Sequence, residues 1–332
     1  MAKANLYRAA REWENAAFNA RDKFLYCNFL DELSFQADFR FNDYLQYQQD
    51  GTFLTRLESW LNNLDQLQHK QALLQLLGHL VFIDNAQMTA IYRDAVRRII
   101  SPWLEDSLAP SIDDMFTAGH DDQQRRTLAE YQIAAVTESC NVSLLLKAND
   151  LHGLPRPITL GPSTKHAITA IGQLSAALRG LIICEDIVGS GKQAGRILKA
   201  VEDHAPSTWR LLFVPMIAFE DGINTIAAKY ISRTTLSPVV ILSRRQCLQP
   251  DPLPNEPPLF KTIRGITKNT AQRVLEAYDD FDDPPKDPFG YESSGGLLVT
   301  SHNAPNNTLP LIHHRAPTWN PLFRRLHHKE RP

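Results

Sequence analysis

A chain of 332 residues, 43% of them hydrophobic and with a formal net charge of -2, can bury a substantial core and is long enough for one large domain or two ordinary ones. That composition excludes a disordered chain, and so small a charge excludes any argument for a nucleic-acid or membrane partner from net charge alone. Cys27, Cys140, Cys184 and Cys247 stand far apart without a CxxC pair, which argues against a disulfide framework or a cysteine zinc site, so no metal ligands are assigned.

From Leu6 to about Leu104 the pattern is helical. Trp13, Ala17, Phe18 and Phe24 recur at helical steps, and Leu54, Leu57, Leu61, Leu64 and Leu67 form one apolar stripe. Leu73, Leu74, Leu77, Leu80 and Val81 form a second, and Ile91, Ala95, Ile99 and Ile100 a third. Ser101-Pro102 is expected to end the last of these helices. The acidic, turn-rich stretch Glu105 to Asp122 reads as a boundary, so a helical region over 1–104 precedes an α/β domain over 105–315 and a basic tail over 316–332. The residues after Met1 enter a charged amphipathic pattern, and no stretch approaches the ~20 consecutive apolar residues of a spanning helix. A soluble, cytoplasmic protein with no membrane partner is therefore expected.

Beyond a short helix around Arg125 to Tyr131, Ile133-Ala134-Ala135-Val136 reads as a buried strand emptying into Thr137-Glu138-Ser139. Helices are expected over Val142 to Asn149 and Lys165 to Leu178, the second closed by Gly180. The strand Leu181-Ile182-Ile183-Cys184 runs into Glu185 and Asp186, then a glycine-rich loop and a helix to about His204. Apolar runs at Trp209 to Pro215 and Val239 to Leu242 flank a helix from Ile223 to Tyr230, and this alternation is the signature of a parallel sheet with helical crossovers. Gln249 to Pro258 holds five prolines and reads as a connector. A helix over Thr267 to Tyr278, an acidic loop over Asp279 to Pro288 and a strand over Leu297 to Thr300 follow.

The stretch from Leu181 to Gln193 carries the chemistry. Ionised carboxylates only accept hydrogen bonds, and the vicinal hydroxyls of a furanose donate them, which suits Glu185 and Asp186. Val188, Gly189, Ser190, Gly191, Lys192 and Gln193 suit a phosphate: the glycines let backbone N–H groups turn inward, the helix presents its positive end, Ser190 adds a hydroxyl and Lys192 a charge. A nucleoside-triphosphate P-loop would need glycine where Asp186 stands and Ser or Thr where Gln193 stands. A sugar-phosphate site remains, with a purely structural strand–turn–helix as its plain rival.

Residues 181–193 resemble the PRPP-binding motif of type I phosphoribosyltransferases, in which a hydrophobic strand precedes two acids and a phosphate loop. The resemblance implies a type I phosphoribosyltransferase-like parallel sheet with flanking helices, preceded here by the all-α N-terminal region. Glu185 and Asp186 would hold the ribose hydroxyls, with Thr137 and Ser139 in the place of the pyrophosphate loop. The implied ligands are PRPP or a related ribose phosphate or nucleotide, with Mg²⁺. With Ser301-His302-Asn303-Ala304-Pro305-Asn306-Asn307-Thr308-Leu309-Pro310 after the closing strand, the chain is similar to phosphoribosyltransferase-like effectors of bacterial antiphage conflict systems, including those encoded beside retron reverse transcriptases. That resemblance implies a toxin effector in antiviral defence, catalysing glycosyl transfer or N-glycosidic cleavage. It also implies a partner complex of reverse transcriptase with noncoding RNA and DNA; a homo-oligomer is a further expectation. The usual glycine is missing from Thr137-Glu138-Ser139, so a non-catalytic ribose-phosphate sensor or nucleoprotein-binding module stands as the alternative.

Three further groups complete the candidates. His302 could act as a general acid or base and Asn303 could contact a base or phosphate, or the cluster is an asparagine turn. Glu220 and Asp221 could face the same cleft or cap the next helix. The segment from His313 to Pro332 mixes basic residues with Trp319 and Phe323, either to bind phosphates and stack bases or as a solvated or docking tail.

Overall fold

A computed structural model describes residues 1–16, 24–44, 51–108, 120–276 and 285–325. Ala17, Phe18, most of the acidic stretch before Asp122, the start of the loop after Tyr278 and the basic residues from His327 onward lie outside the described residues. The strands are β1 (Val81–Ile83), β2 (Tyr131–Ala135), β3 (Ile158–Thr159), β4 (Gly180–Val188), β5 (Arg210–Phe219), β6 (Thr235–Leu236), β7 (Val240–Leu242) and β8 (Leu298–Thr300). All pairings among these strands are parallel, and helices separate all of them in sequence except β6 and β7. Among the described residues no helix is long and apolar enough to cross a membrane.

The chain forms two compact units, 1–84 with 245–332, and 85–244. These bounds differ from those expected at 104/105 and 315/316, and packing supplies the reason. In the first unit, helices Ala2–Asn15, Leu25–Phe39, Phe53–Leu61 and Leu67–Leu76 share one core with the end of the chain: Phe53, Leu57 and Trp60 are buried with Phe260, Val299, Trp319 and Phe323. The Trp60 indole donates to the Leu311 carbonyl at 2.7 Å, and the Tyr44 hydroxyl to that of Arg324 at 2.9 Å. Val81 pairs with Leu298 and Ile83 with Thr300, so Val81 belongs to a strand and not to the helical stripe that ends at Leu76. Trp319 and Phe323 are core residues, which leaves neither ring available to stack a base. Helix Pro258–Val274 begins inside the proline-rich connector because proline is well suited to a first helical turn, where its missing N–H has no partner to lose.

In the second unit, helix Asn85–Asp94 runs through a π-helical turn, Ala95–Ile100, into helix Ser101–Leu108. Pro102 therefore does not stop the helix. Proline cannot bond to the carbonyl four residues back, and the wider turn just before it accommodates that loss.

The sheet of this unit has the order β3-β2-β4-β5-β6, with β7 also paired to β5. β4 and β5 are central, and residues 181–184 and 211–214 are buried on both faces, as the uninterrupted apolar runs require. Each Leu, Ile, Val or Phe side chain among them contributes about 1.5–3 kcal/mol on burial. Helix Lys192–His204 lays Ala194, Ile197, Leu198 and Val201 into this core. From β2 the chain moves outward to β3; it then returns past β2 to β4 and proceeds the other way to β5 and β6. The order reverses between β2 and β4, the place where open α/β sheets bind ligands outside the carboxyl ends of their strands.

Candidate functional site at the sheet switch point

Two loops meet where the strand order reverses. Ala135 of β2 is in register with Cys184 of β4, so Thr137-Glu138-Ser139 and Glu185-Asp186 leave the sheet side by side. Alternation along β4 sends the two acids different ways. Glu185 is only 5% exposed, and Asp186 is half-buried.

The carboxyl of Glu185 is fully engaged by the neighbouring loop. The Thr137 amide donates to its Oε2 at 3.0 Å, and the Thr137 hydroxyl lies 2.6 Å from its Oε1. The Thr137 and Ser139 hydroxyls are 2.8 Å apart, and Ser139 Oγ lies 3.2 Å from Asp186 Oδ1. Ile187 N–H also donates to that oxygen at 2.8 Å. A line of oxygens thus joins the two acids through Thr137 and Ser139. Burial pushes the Glu185 carboxyl well above its ordinary range, the neighbouring Asp186 charge pushes the same way, and the bonds donated by Thr137 oppose them.

The surroundings are dry. Tyr92 is buried, and its hydroxyl is held protonated far above the ordinary tyrosine range by burial, then by Cys140, Asp186 and Cys184. Burial likewise raises the Cys140 thiol well above its usual value and pushes Cys184 up to about 12. Both are therefore poor nucleophiles.

The loop after Asp186 is fixed by glycine contacts. Gly191, at φ +75°, is the N-cap of helix Lys192–His204; Lys192 N–H donates to Ser190 Oγ at 3.5 Å, and Gly195 N–H reaches back to the Gly191 carbonyl at 2.8 Å. Ser190 is half-buried, while Lys192 and Gln193 are exposed. A Cβ at Gly191 would overlap the Gly222 carbonyl, and one at Gly222 would overlap the Gly189 carbonyl. The loop thus rests backbone to backbone on the first turn of helix Glu220–Lys229. Likewise, a Cβ at Gly195 would run into the Tyr230 ring. The N-terminus of helix Lys192–His204, the Ser190 hydroxyl and the Asp186 acceptor form a donor and acceptor set that fits a sugar phosphate.

The structure brings Thr137, Ser139, Glu185, Asp186 and residues 188–193 together. His302 and Asn303 belong to the first unit, in the turn after β8. There the Asn303 carbonyl accepts from Thr300 N and Oγ1 at 3.0 and 2.9 Å, and its side-chain oxygen accepts from Ala304 N at 3.0 Å. Asn307 donates to Ser294 Oγ at 2.8 Å. These are the bonds of an asparagine-stabilised turn. Glu220 and Asp221 bind Arg244, through its amide at 2.9 Å and its guanidinium at 3.5 Å.

Sequence reasoning missed Gly222, whose role appears only when two loops touch. It also missed Glu202, whose carboxylate accepts from the amides of Ser232, Arg233 and Thr234 and from two hydroxyls. Burial opposes its charge, but those bonds prevail and hold the carboxyl at about 2.

A parallel sheet of this order, with paired acids and a glycine loop at its switch point, defines a phosphoribosyltransferase-like domain. The model of one protein family, PRTase-CE, matches residues 57–325, and the chain belongs to that family. No curated protein matches the chain.

Proposed function

We propose that the switch-point site binds the ribose 5-phosphate portion of PRPP or of a related nucleotide. The observation that carries this reading is the meeting of Asp186 with the 188–193 loop and the N-terminus of helix Lys192–His204 at the reversal of strand order. The loop amides, Ser190 and Lys192 would hold the phosphate, and Asp186 would accept from the ribose hydroxyls. Glu185 acts behind it as a positioning residue, since Thr137 engages both of its oxygens. Mg²⁺, when bound, would offset the charge of a diphosphate leaving group as C1′ becomes cationic.

The proposed chemistry is glycosyl transfer or N-glycosidic cleavage. The proposed role, which rests on the resemblance to conflict-system effectors, is a toxin in antiphage defence restrained by a reverse transcriptase with its RNA and DNA. One observation favours a second reading, a ribose-phosphate sensor without catalysis: the Thr137 amide, the first donor of the loop that would face pyrophosphate, is already bonded to Glu185.

Incubating the full chain with PRPP, NAD and nucleotides plus Mg²⁺, and following products by mass spectrometry, separates the two. Turnover that Asp186→Ala abolishes supports the enzyme. Binding without turnover, lost in the same variant, supports the sensor. Binding that survives Asp186→Ala removes the site assignment.

A further inference from the structure

The second unit carries a cavity of about 410 Å³ beside the start of β2. Leu128, on its wall, lies just before β2 begins, and Ala148 to Leu151, also on its wall, end the helix that returns from the carboxyl end of that strand. The cavity lining shares no residue with the switch-point loops, which leave the opposite ends of β2 and β4. It is a different site.

Its lining has two characters. Val96, Ile100 and Leu128 are buried and make an apolar wall. Arg93, Arg97 and Arg125, all exposed, contribute three cationic residues to the lining, against one acidic residue, Asp150. Arg93 gives one N–H to the Ala148 carbonyl at 3.2 Å, whereas the side chains of Arg97 and Arg125 make no ion pair or hydrogen bond with any described residue. Asp150 does not balance them: its carboxylate is exposed and lies 3.9 Å from His152. The wall is also where the helix widens, since Val96, Arg97 and Ile100 all sit on the π turn Ala95–Ile100, a distortion frequent at functional sites.

We propose that this cavity binds a small aromatic phosphate, the ring lying on the apolar wall and the phosphate held by Arg97 and Arg125, with Arg93 beside them. Guanidinium groups match phosphate oxygens in pairs, and a volume in the range of about 300–1,000 Å³ is that of a small-molecule site. The site is independent of the ribose-phosphate reading.

The probe is 1-naphthyl phosphate, which lacks a ribose, titrated into the full chain by calorimetry and by naphthalene fluorescence. Saturable one-to-one binding is expected, weakening with salt and at least about tenfold weaker in Arg97→Glu and, separately, in Arg125→Glu. Both arginines are exposed, so far-UV circular dichroism should show both variants folded. 1-Naphthol and inorganic phosphate should each bind at least about tenfold more weakly, because each offers only half of the contacts. Lys192→Glu, which places a negative charge at the switch-point loop, should leave the affinity unchanged. No saturable binding, binding indifferent to both arginine reversals, or binding lost in Lys192→Glu would overturn the proposal.

Discussion

Replacing Gly222 with alanine tests whether the phosphate loop is held by backbone contact. A Cβ there would overlap the Gly189 carbonyl oxygen and stand 3.2 Å from the Gly191 amide nitrogen. Both neighbours are main chain, so no rotamer change can relieve the clash, and either the loop or the helix must move. Overpacking of this kind costs about 1–3 kcal/mol. For a unit of this size each kcal/mol lowers the melting temperature by roughly 2–4 °C. Gly172 provides the control within the same unit. It is exposed at the end of helix Thr164–Gly172, nothing lies within 4 Å of a Cβ placed there, and alanine should stabilise by about 0.4–1 kcal/mol. Thermal unfolding of both variants, with calorimetric titration of ribose 5-phosphate, checks the pair. Gly222→Ala should melt below the parent and bind the phosphate more weakly, while Gly172→Ala should melt above the parent with binding unchanged. A Gly222→Ala protein as stable as Gly172→Ala would refute the loop-on-helix argument.

Glu185→Gln should change the pH profile of stability. The folded carboxyl titrates above its ordinary value of 4.5, so its favourable contribution is complete below about that pH and declines as pH rises towards the folded pKa, by up to ~1.4 kcal/mol per pH unit. Glutamine does not titrate, so denaturant unfolding should show the variant gaining on the parent as pH rises above about 4.5, and parallel profiles would contradict a raised Glu185 carboxyl. Glu202 has the opposite sign: its carboxyl falls from an ordinary 4.5 to about 2, so its contribution is present above 4.5 and lost as pH falls towards 2. Glu202→Ala should cost roughly 2 kcal/mol at pH 7, after discounting for partial exposure, and flatten the acid limb of the unfolding curve. Truncation after Arg315 removes Trp319, Leu322 and Phe323 from the first unit's core, and limited proteolysis should then degrade residues 1–84 while sparing 85–244.

Signals carried by adjacent residues were legible in the sequence. β2, β4 and β5 and the helix after the glycine loop appear as apolar runs and as a 3.6-residue pattern, and the acids with the loop behind them lie in one stretch. The order of the strands, which puts that stretch beside Thr137, depends on pairings that leave no mark in either segment. β1 was hidden because three residues cannot establish a period of two, and Val81 extended a leucine stripe. Helix Pro258–Val274 was entered too late because prolines that start helices also mark connectors. Trp319 and Phe323 were misread because their basic neighbours suggested a surface, whereas the two rings are buried and the charges flank them.

The discontinuity of the first unit bears on how the protein is made. Residues 53–61 present Phe53, Leu57 and Trp60 early, yet their partners at 297–323 leave the ribosome some 240 residues later. At roughly 5–20 residues per second this apolar face waits about 10–50 s for its complement, while 85–244 already has all of its own contacts. Nascent-chain expression should therefore depend on chaperone holding more steeply for the N-terminal helices than for the sheet that bears the candidate site.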